Sequence, residues 1–396
     1  MRLTWLSLGL LAVLAACERE LETSETEVAP SDGMQVVRSE RPVWSNESPW
    51  TLSGTPSLDL ARTGSGPAHE FFRVTDLLRL PDGRIVVGDF GALEVRCYSK
   101  KGQLLWSCGR RGDGPGEFRW ITRLSRMRGD SIVAFDRSLN RATILSSTGE
   151  LGRVVSFGSE LQRVRRLQSY SDSLFLALTE SFAGSMTPGN YRIPLAVVLL
   201  GPEGSVLDTL RMIGGSEGFL SASGVDGALP FGKNGHLAVE GHEFLVGTAD
   251  SLAFDRYSAP WTLSQTVSVP GYELGLTSQQ IDSTRQALLR RGDGRPHPSD
   301  VIEAIESIKI PDHRPGYSRL LLDEEGYAWA AQSHAYFTAE RWVPWEVFAP
   351  TGQWLGRFNT PVGFQVFRIG ADHILGVQLD ELDVEHVQLL PISRGD

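Results

Sequence analysis

Short apolar runs separated by polar turns dominate the chain beyond residue 57, and they follow one order. An apolar run ends in a turn, as at Leu80-Pro81-Asp82-Gly83. A β-branched run follows, as at Ile85-Val86-Val87, and an aspartate closes it. A third run leads to a glycine turn and a fourth run. Such punctuation predicts short antiparallel strands in an all-β sandwich, barrel or propeller. The pattern repeats. Val74-Thr75-Asp76-Leu77 recurs as Ile121-Thr122-Arg123-Leu124, and Ile85-Val86-Val87-Gly88-Asp89 as Ile132-Val133-Ala134-Phe135-Asp136. A strand-rich period of about 40–50 residues marks a radial or solenoid architecture. Glycine turns recur at Gly102, Gly149, Gly204 and Gly352, where a tight hairpin needs a positive φ.

Units fall at about 74–109, 121–158, 164–211, 229–269 and 318–358, with a last partial unit at 364–392. That last unit supplies three strands. Ser57-Leu58-Asp59-Leu60-Ala61-Arg62-Thr63-Gly64 aligns with Leu105–Gly112 and supplies the fourth. The predicted fold is therefore an all-β six-bladed β-propeller, closed by an N-terminal strand in the last blade, which removes the open edges. Two stretches depart from the pattern. Residues 179–194 are rich in Gly, Ser, Pro and Asn and read as a surface loop. Residues 275–315 read as a small helical insertion between the fifth and sixth blades. Thr277 and Gln280 suit a capping box, and Ser299 suits the cap of a second helix carrying Val301, Ile302, Ile305 and Ile308 on one face.

The N-terminus changes the picture. Arg2, the apolar run Leu3–Val13 and then Leu14-Ala15-Ala16-Cys17 resemble a bacterial lipoprotein signal, with Cys17 the lipidated residue. Domains are expected at 1–16 (signal peptide), 17–44 (acidic disordered tether) and 45–396 (propeller). Glu18 follows the cysteine where an inner-membrane retention aspartate would stand, so an outer-membrane lipoprotein facing the periplasm or cell surface is expected. The formal net charge is −10, and no basic stripe stands out. Nucleic acid, bound largely by phosphate neutralisation, is not an expected partner.

The units resemble the NHL-type six-bladed propeller repeat through Asp136, Asn140, Arg141 and Gly149, less so through Asp89, Tyr98 and Gly102. Over about residues 45–392 the chain resembles bacterial six-bladed β-propeller lipoproteins of unassigned activity. It shares their lead-in Gly112–Phe118 and a tail running from Trp345-Glu346-Val347-Phe348 to Asp380-Glu381-Leu382.

Candidate chemistry is sparse. Cys97 and Cys108 flank one hairpin. A two-residue turn at Gly102-Gln103 sets them opposite and permits a disulfide, whereas a three-residue turn with a Gly102 bulge sets Cys97 against Leu105. The eight histidines form no close metal-ligand pair, and no Cys cluster exists for zinc. Asp89 and Asp136 recur, as turn-capping residues do. No nucleophile elbow or phosphate loop is present. Arg-Gly-Asp occurs at Arg111, Arg128, Arg291 and Arg394, in turn contexts. Trp329, Tyr336, Phe337, Trp342 and Trp345 cluster beside the insertion, as a binding face or as packing between blades. The expected function is a lipid-anchored, monomeric envelope module binding a protein or glycan ligand, with the 275–315 hairpin as lid or rim. The alternative is a metal-dependent hydrolase, lactonase or lyase at the propeller channel, for which Ca²⁺ is the cofactor to consider. Unrepeated stretches are where function is expected.

Overall fold

A computed structural model describes residues 26–31, 33–45, 47–158, 161, 163–181, 186–290, 294–333 and 342–395. Its strands form six sheets. The first spans Val74–Arg79, Ile85–Asp89, Glu94–Tyr98 and Leu104–Cys108, paired antiparallel in chain order. The second repeats this with Ile121–Arg126, Ile132–Asp136, Arg141–Leu145 and Leu151–Ser156. The third begins at Val164–Ser169, the fourth at His236–Glu240, the fifth at Arg319–Leu322 and the sixth at Phe364–Ile369.

The first strands of the sheets lie innermost and pack against one another in cyclic order, with 364–369 returning to 74–79. Between the fifth and sixth sheets the Glu324 N–H reaches the Ile369 carbonyl at 3.4 Å. Six apolar clusters fill the seams. One joins Val86, Val95 and Cys97 to Phe118, Leu124 and Ala134, and another joins Leu77 and Val87 to Phe367, Leu375 and Val387. The other four join the second to third, third to fourth, fourth to fifth and fifth to sixth sheets. This arrangement is consistent with a β-propeller. It explains the sequence pattern. Strands pressed between two neighbours are buried on both faces and open on continuous apolar runs, as Ile85–Asp89 and Ile132–Asp136 do. The outermost strand Leu104–Cys108 is largely exposed and mixes polar with apolar residues.

The sixth sheet takes its outer strand from the N-terminal region, as expected. Leu58 and Asp59 pair with Leu389 and Gln388, and Leu52 and Thr51 pair with Ile392 and Ser393. The Asp59 carboxylate accepts bonds from Gln388 Nε2 at 3.0 Å and from His386 Nδ1 at 3.0 Å.

Several expectations need correction. The tether expected over 17–44 carries a hairpin, Thr26–Ser31 with Met34–Ser39, whose second strand pairs in parallel with Thr262–Ser268. Val37 is fully buried there, because the fourth sheet offers an open edge and a pocket for it. Residues 17–25 lie outside the described residues. The loop expected over 179–194 is partly strand. Gly189–Leu200 and Val206–Leu220 form a long hairpin extending the third sheet. Its polar, glycine-containing sequence reflects exposure on the part that projects beyond the body.

No disulfide joins Cys97 and Cys108. Gly102, at φ 82°, takes the bulge position after a turn closed by its N–H on the Ser99 carbonyl. A register shift at Cys97/Tyr98 then pairs Cys97 with Trp106 and Cys108 with Val95. Burial pushes the Cys97 thiol up to about 11 and raises Cys108 too.

The insertion is helical as expected. α1 (Ser278–Leu288) starts with the Thr277–Gln280 capping box. α2 (Ser299–Ser307) has Pro298, not Ser299, in the cap position. The pair lies between the fourth and fifth sheets, one place earlier than expected, because four complete units precede it in the chain. Arg285 donates to the carbonyls of Ile305, Glu306 and Ile308, holding the end of α2. Ala304 and Ile308 pack on Phe219 and Leu229 of the third sheet's extension.

Candidate functional site: the arginine-lined axis

The innermost strands carry charge where their pattern is otherwise apolar. Register fixes equivalent places, since Arg79, Arg126, Ser169 and Leu322 each pair with the first residue of the next strand. At the same distance before those residues stand Asp76, Arg123, Arg166 and Arg319. The fourth sheet adds His236 nearby, and the sixth adds Arg368.

Asp76 is fully buried and well satisfied. It accepts from the backbone N–H of Leu77 at 3.0 Å and Leu124 at 2.8 Å. Arg368 grips both its oxygens at 3.1 Å, and Arg123 stands 3.5 Å away. Burial alone would raise this carboxyl, but Arg368, Arg123 and the Leu124 N–H outweigh it and hold the pKa below the usual range.

The other guanidiniums have no such carboxylate. Arg166 donates to the Leu237 carbonyl at 2.8 Å and makes no ion pair among the described residues. Arg319 lies over the Phe367 ring, 5.4 Å from its centre, and likewise makes none among these residues. Burial and the guanidiniums of Arg123 and Arg368 bring Arg319 down to about 9, with Asp76 opposing. Burial, with Arg123, Arg319 and Arg368, also holds Arg166 well below its ordinary value. His236 packs on Tyr317 with its Nε2 buried and without a protein partner. Its burial and the charges of Arg166 and Arg319 push its pKa to about 3, so the ring is neutral at pH 7.

A narrow throat of about 20 Å³ runs between Arg123, Arg166, Gln168, Glu240 and Arg368. It opens into a funnel of about 640 Å³ at the face where the inner strands end. The funnel wall is polar, with Arg79, Arg126, Ser169, Asp172, His242 and Glu324 on it. The Gln168 Oε1 and the Arg123 Nε are buried without a protein partner. Burial raises the Glu240 carboxyl, with Arg368 opposing. Among the described residues no group of His, Cys, Asp and Glu is arranged to hold a metal ion.

The residues singled out from sequence fall elsewhere. Trp329 and Trp345 are buried in the seam between the fifth and sixth sheets, packed with Trp50 and Phe358. They are core and offer no binding face. Tyr336 and Phe337 lie outside the described residues, and Trp342 begins a strand. Asp89 and Asp136 cap turns: Asp136 accepts from the N–H groups of Arg119, Trp120 and Leu139. The lead-in 112–118 is scaffold, its carbonyls at Asp113, Gly114 and Glu117 gripped by Arg141. Arg394 pairs with buried Asp323 at 2.7 Å and stacks on Trp50 and Tyr327, so that this arginine is a structural lock. The insertion lines no part of the funnel. It packs on the third sheet's extension, beside the strand beginnings. The axial arginines had one signal in the sequence: a charge inside the repeated apolar strand, visible as Asp76 against Arg123.

No protein-family model matches the sequence, and no curated protein matches it. Solved structures do resemble it. A Bacteroides fragilis protein described as exported aligns over 90% of this chain and 99% of its own, at 11% identity and a TM-score of 0.52. A member of the DUF4221 family from Bacteroides vulgatus aligns over 87% and 98%, at 11% identity and 0.49. A gluconolactonase from Xanthomonas campestris aligns over 82% and 88%, at 13% identity and 0.41. At such identities the first likeness is one of fold alone, and the other two are too loose to add to it. Among the described residues no helix is long and apolar enough to cross a membrane.

Proposed function

We propose that the chain is an exported, lipid-anchored six-bladed β-propeller of the bacterial envelope that binds a small polar ligand in its axial funnel. The observation that carries the binding reading is the polar funnel of about 640 Å³, continuous with the charged throat. That volume lies in the range of small-molecule sites. The six apolar seams and the paired termini support one closed six-bladed ring. The lipobox-like Leu14–Cys17 supports the anchor.

A metal-dependent hydrolase or lyase at the same channel is disfavoured by its donor set. Guanidiniums repel a divalent cation, and the fully buried carboxylate of Asp76 on the axis is already taken by Arg368. A monomer fits a ring whose own strands close it.

Binding is tested by releasing bound small molecules from the purified protein by denaturation and identifying them by mass spectrometry. The same is done with Ser169→Trp, which fills the funnel. A polar compound released from the native chain and absent from the variant is expected. Identical profiles would refute the funnel as the site. For the anchor, Cys17→Ser is expected to abolish incorporation of labelled palmitate and move the protein out of the membrane fraction. Unchanged labelling would remove the lipoprotein reading.

A further inference from the structure

The axis holds more positive than negative charge. Arg123, Arg166, Arg319 and Arg368 face Asp76 and Glu240, and the first carboxylate is spoken for. Arginine stays protonated at any physiological pH, so neutralisation is no remedy for an uncompensated guanidinium. A charge partly withdrawn from water without a partner is costly. Arg166 and Arg319 stand partly buried on this axis, and among the described residues neither has a carboxylate within ion-pair reach. Buried polar atoms beside them, Arg123 Nε, Gln168 Oε1 and His236 Nε2, also lack protein partners. Several independent groups around the axis are therefore incomplete, and three of the residues, Arg123, Arg166 and Gln168, line the throat.

We infer that the throat is a carboxylate-binding site, in which the acidic head group of a small polar ligand meets Arg166 and Arg123 while the rest of the molecule occupies the funnel. This deepens the funnel reading above and rests on it. Size limits the head group. A throat of about 20 Å³ has the room of roughly one water, so it admits one oxygen of a flat carboxylate seated at its mouth and leaves a bulkier tetrahedral phosphate outside. Geometry favours the same choice, because guanidinium and carboxylate are planar and pair through two parallel bonds. The funnel selects the body. Its wall of hydroxyl, amide and charged groups suits a hydroxylated ligand over an apolar one. His236 is neutral beside Arg166 and Arg319, so it adds no charge and leaves the arginines to set the sign of the ligand.

The test is thermal unfolding of the folded chain with acetate exchanged for chloride at constant sodium and pH 7. Acetate is the head group alone. Tartrate supplies a hydroxylated body, inorganic phosphate is the bulkier oxyanion, and glycerol is an uncharged control. Acetate is expected to raise Tm with saturation, by about 2–5 °C, and tartrate at lower concentration. Phosphate and glycerol are expected to do neither. Arg166→Met should lose the response to acetate and tartrate, and Arg166→Lys should keep part of it by retaining the charge. Because Arg166 makes a single protein hydrogen bond, Arg166→Met is expected to fold, with an anion-free Tm at or above that of the native chain. Absence of an acetate response in the native chain, or an equal response in Arg166→Met, overturns the inference. A phosphate response as large as that to acetate overturns the choice of carboxylate. The two readings fail separately. An uncharged compound released from the native funnel, with no acetate response, sinks the carboxylate site alone. An acetate response that depends on Arg166, with nothing lost in Ser169→Trp, sinks the funnel alone.

Discussion

His236 is the residue whose environment makes the sharpest prediction. Its folded pKa of about 3 lies below the ordinary 6.5. Between those values the unfolded chain binds a proton that the folded chain refuses, so stability falls as pH falls through that window. The maximum slope is about 1.4 kcal/mol per pH unit for one proton. Urea unfolding at pH 6.5, 5.5 and 4.5 is expected to lose stability in this way, and His236→Gln should flatten the profile over the same range. An unchanged profile in the variant would place the acid sensitivity elsewhere. Arg394 makes a second prediction. It donates to Asp323, whose carboxylate is fully buried and also accepts from Trp329 Nε1 at 2.9 Å. Arg394→Ala leaves that carboxylate without its cation and should cost about 3–5 kcal/mol in chemical denaturation. A loss below about 1 kcal/mol, the scale of an exposed ion pair, would restore Arg394 to the surface role its Arg-Gly-Asp context suggests. At this scale the sequence was half legible. Asp89 and Asp136 were readable as turn caps because they recur, and they do cap turns. Trp329 and Trp345 misled as candidates for a face because an aromatic cluster looks alike in a seam and on a surface.

At the level of strands and helices, punctuation was the reliable signal. The glycine turns and the capping box at Thr277 follow from local chemistry, and the strand pairing of the termini follows from the count of repeats. What local chemistry did not reveal was pairing that depends on a distant partner. Met34–Ser39 becomes a strand because Thr262–Ser268 leaves an edge for it, and nothing within its own residues announces that. The cysteine hairpin shows the same limit, since one bulge after Cys97 decides what faces it. The expected outcome is two reduced thiols. In a chain beginning at residue 18, thiol titration after unfolding in air-equilibrated buffer should give two equivalents, and an intact mass lower by two hydrogens would contradict the register. Closure is testable too. A chain starting after Asp59 lacks the strands paired with 388–393 and the carboxylate that holds His386 and Gln388. It is expected to lose the single cooperative transition and to be cleaved quickly in the sixth sheet by limited proteolysis. Native-like cooperativity would show that the ring does not need its N-terminal strand.

Across the whole molecule, the repeat has a meaning that its copies conceal. Sheets that match in their strands and turns differ at one inward place, where Asp76, Arg123, Arg166 and Arg319 stand in turn. On the proposed function, the expectation that function lies only where the pattern breaks is too narrow. A ring brings variable positions of its repeats to a common axis, so residues far apart in the chain would compose the proposed site without any linear motif. The insertion at 275–315, the obvious break in the pattern, packs away from the funnel. The most direct measurement is a crystal structure of the chain grown in acetate, compared with one grown in chloride. Planar density for one acetate at the mouth of the throat, with both oxygens within hydrogen-bond distance of Arg166 or Arg123, is the predicted result. A throat holding only water in acetate, with Arg166 still facing it, would contradict the account.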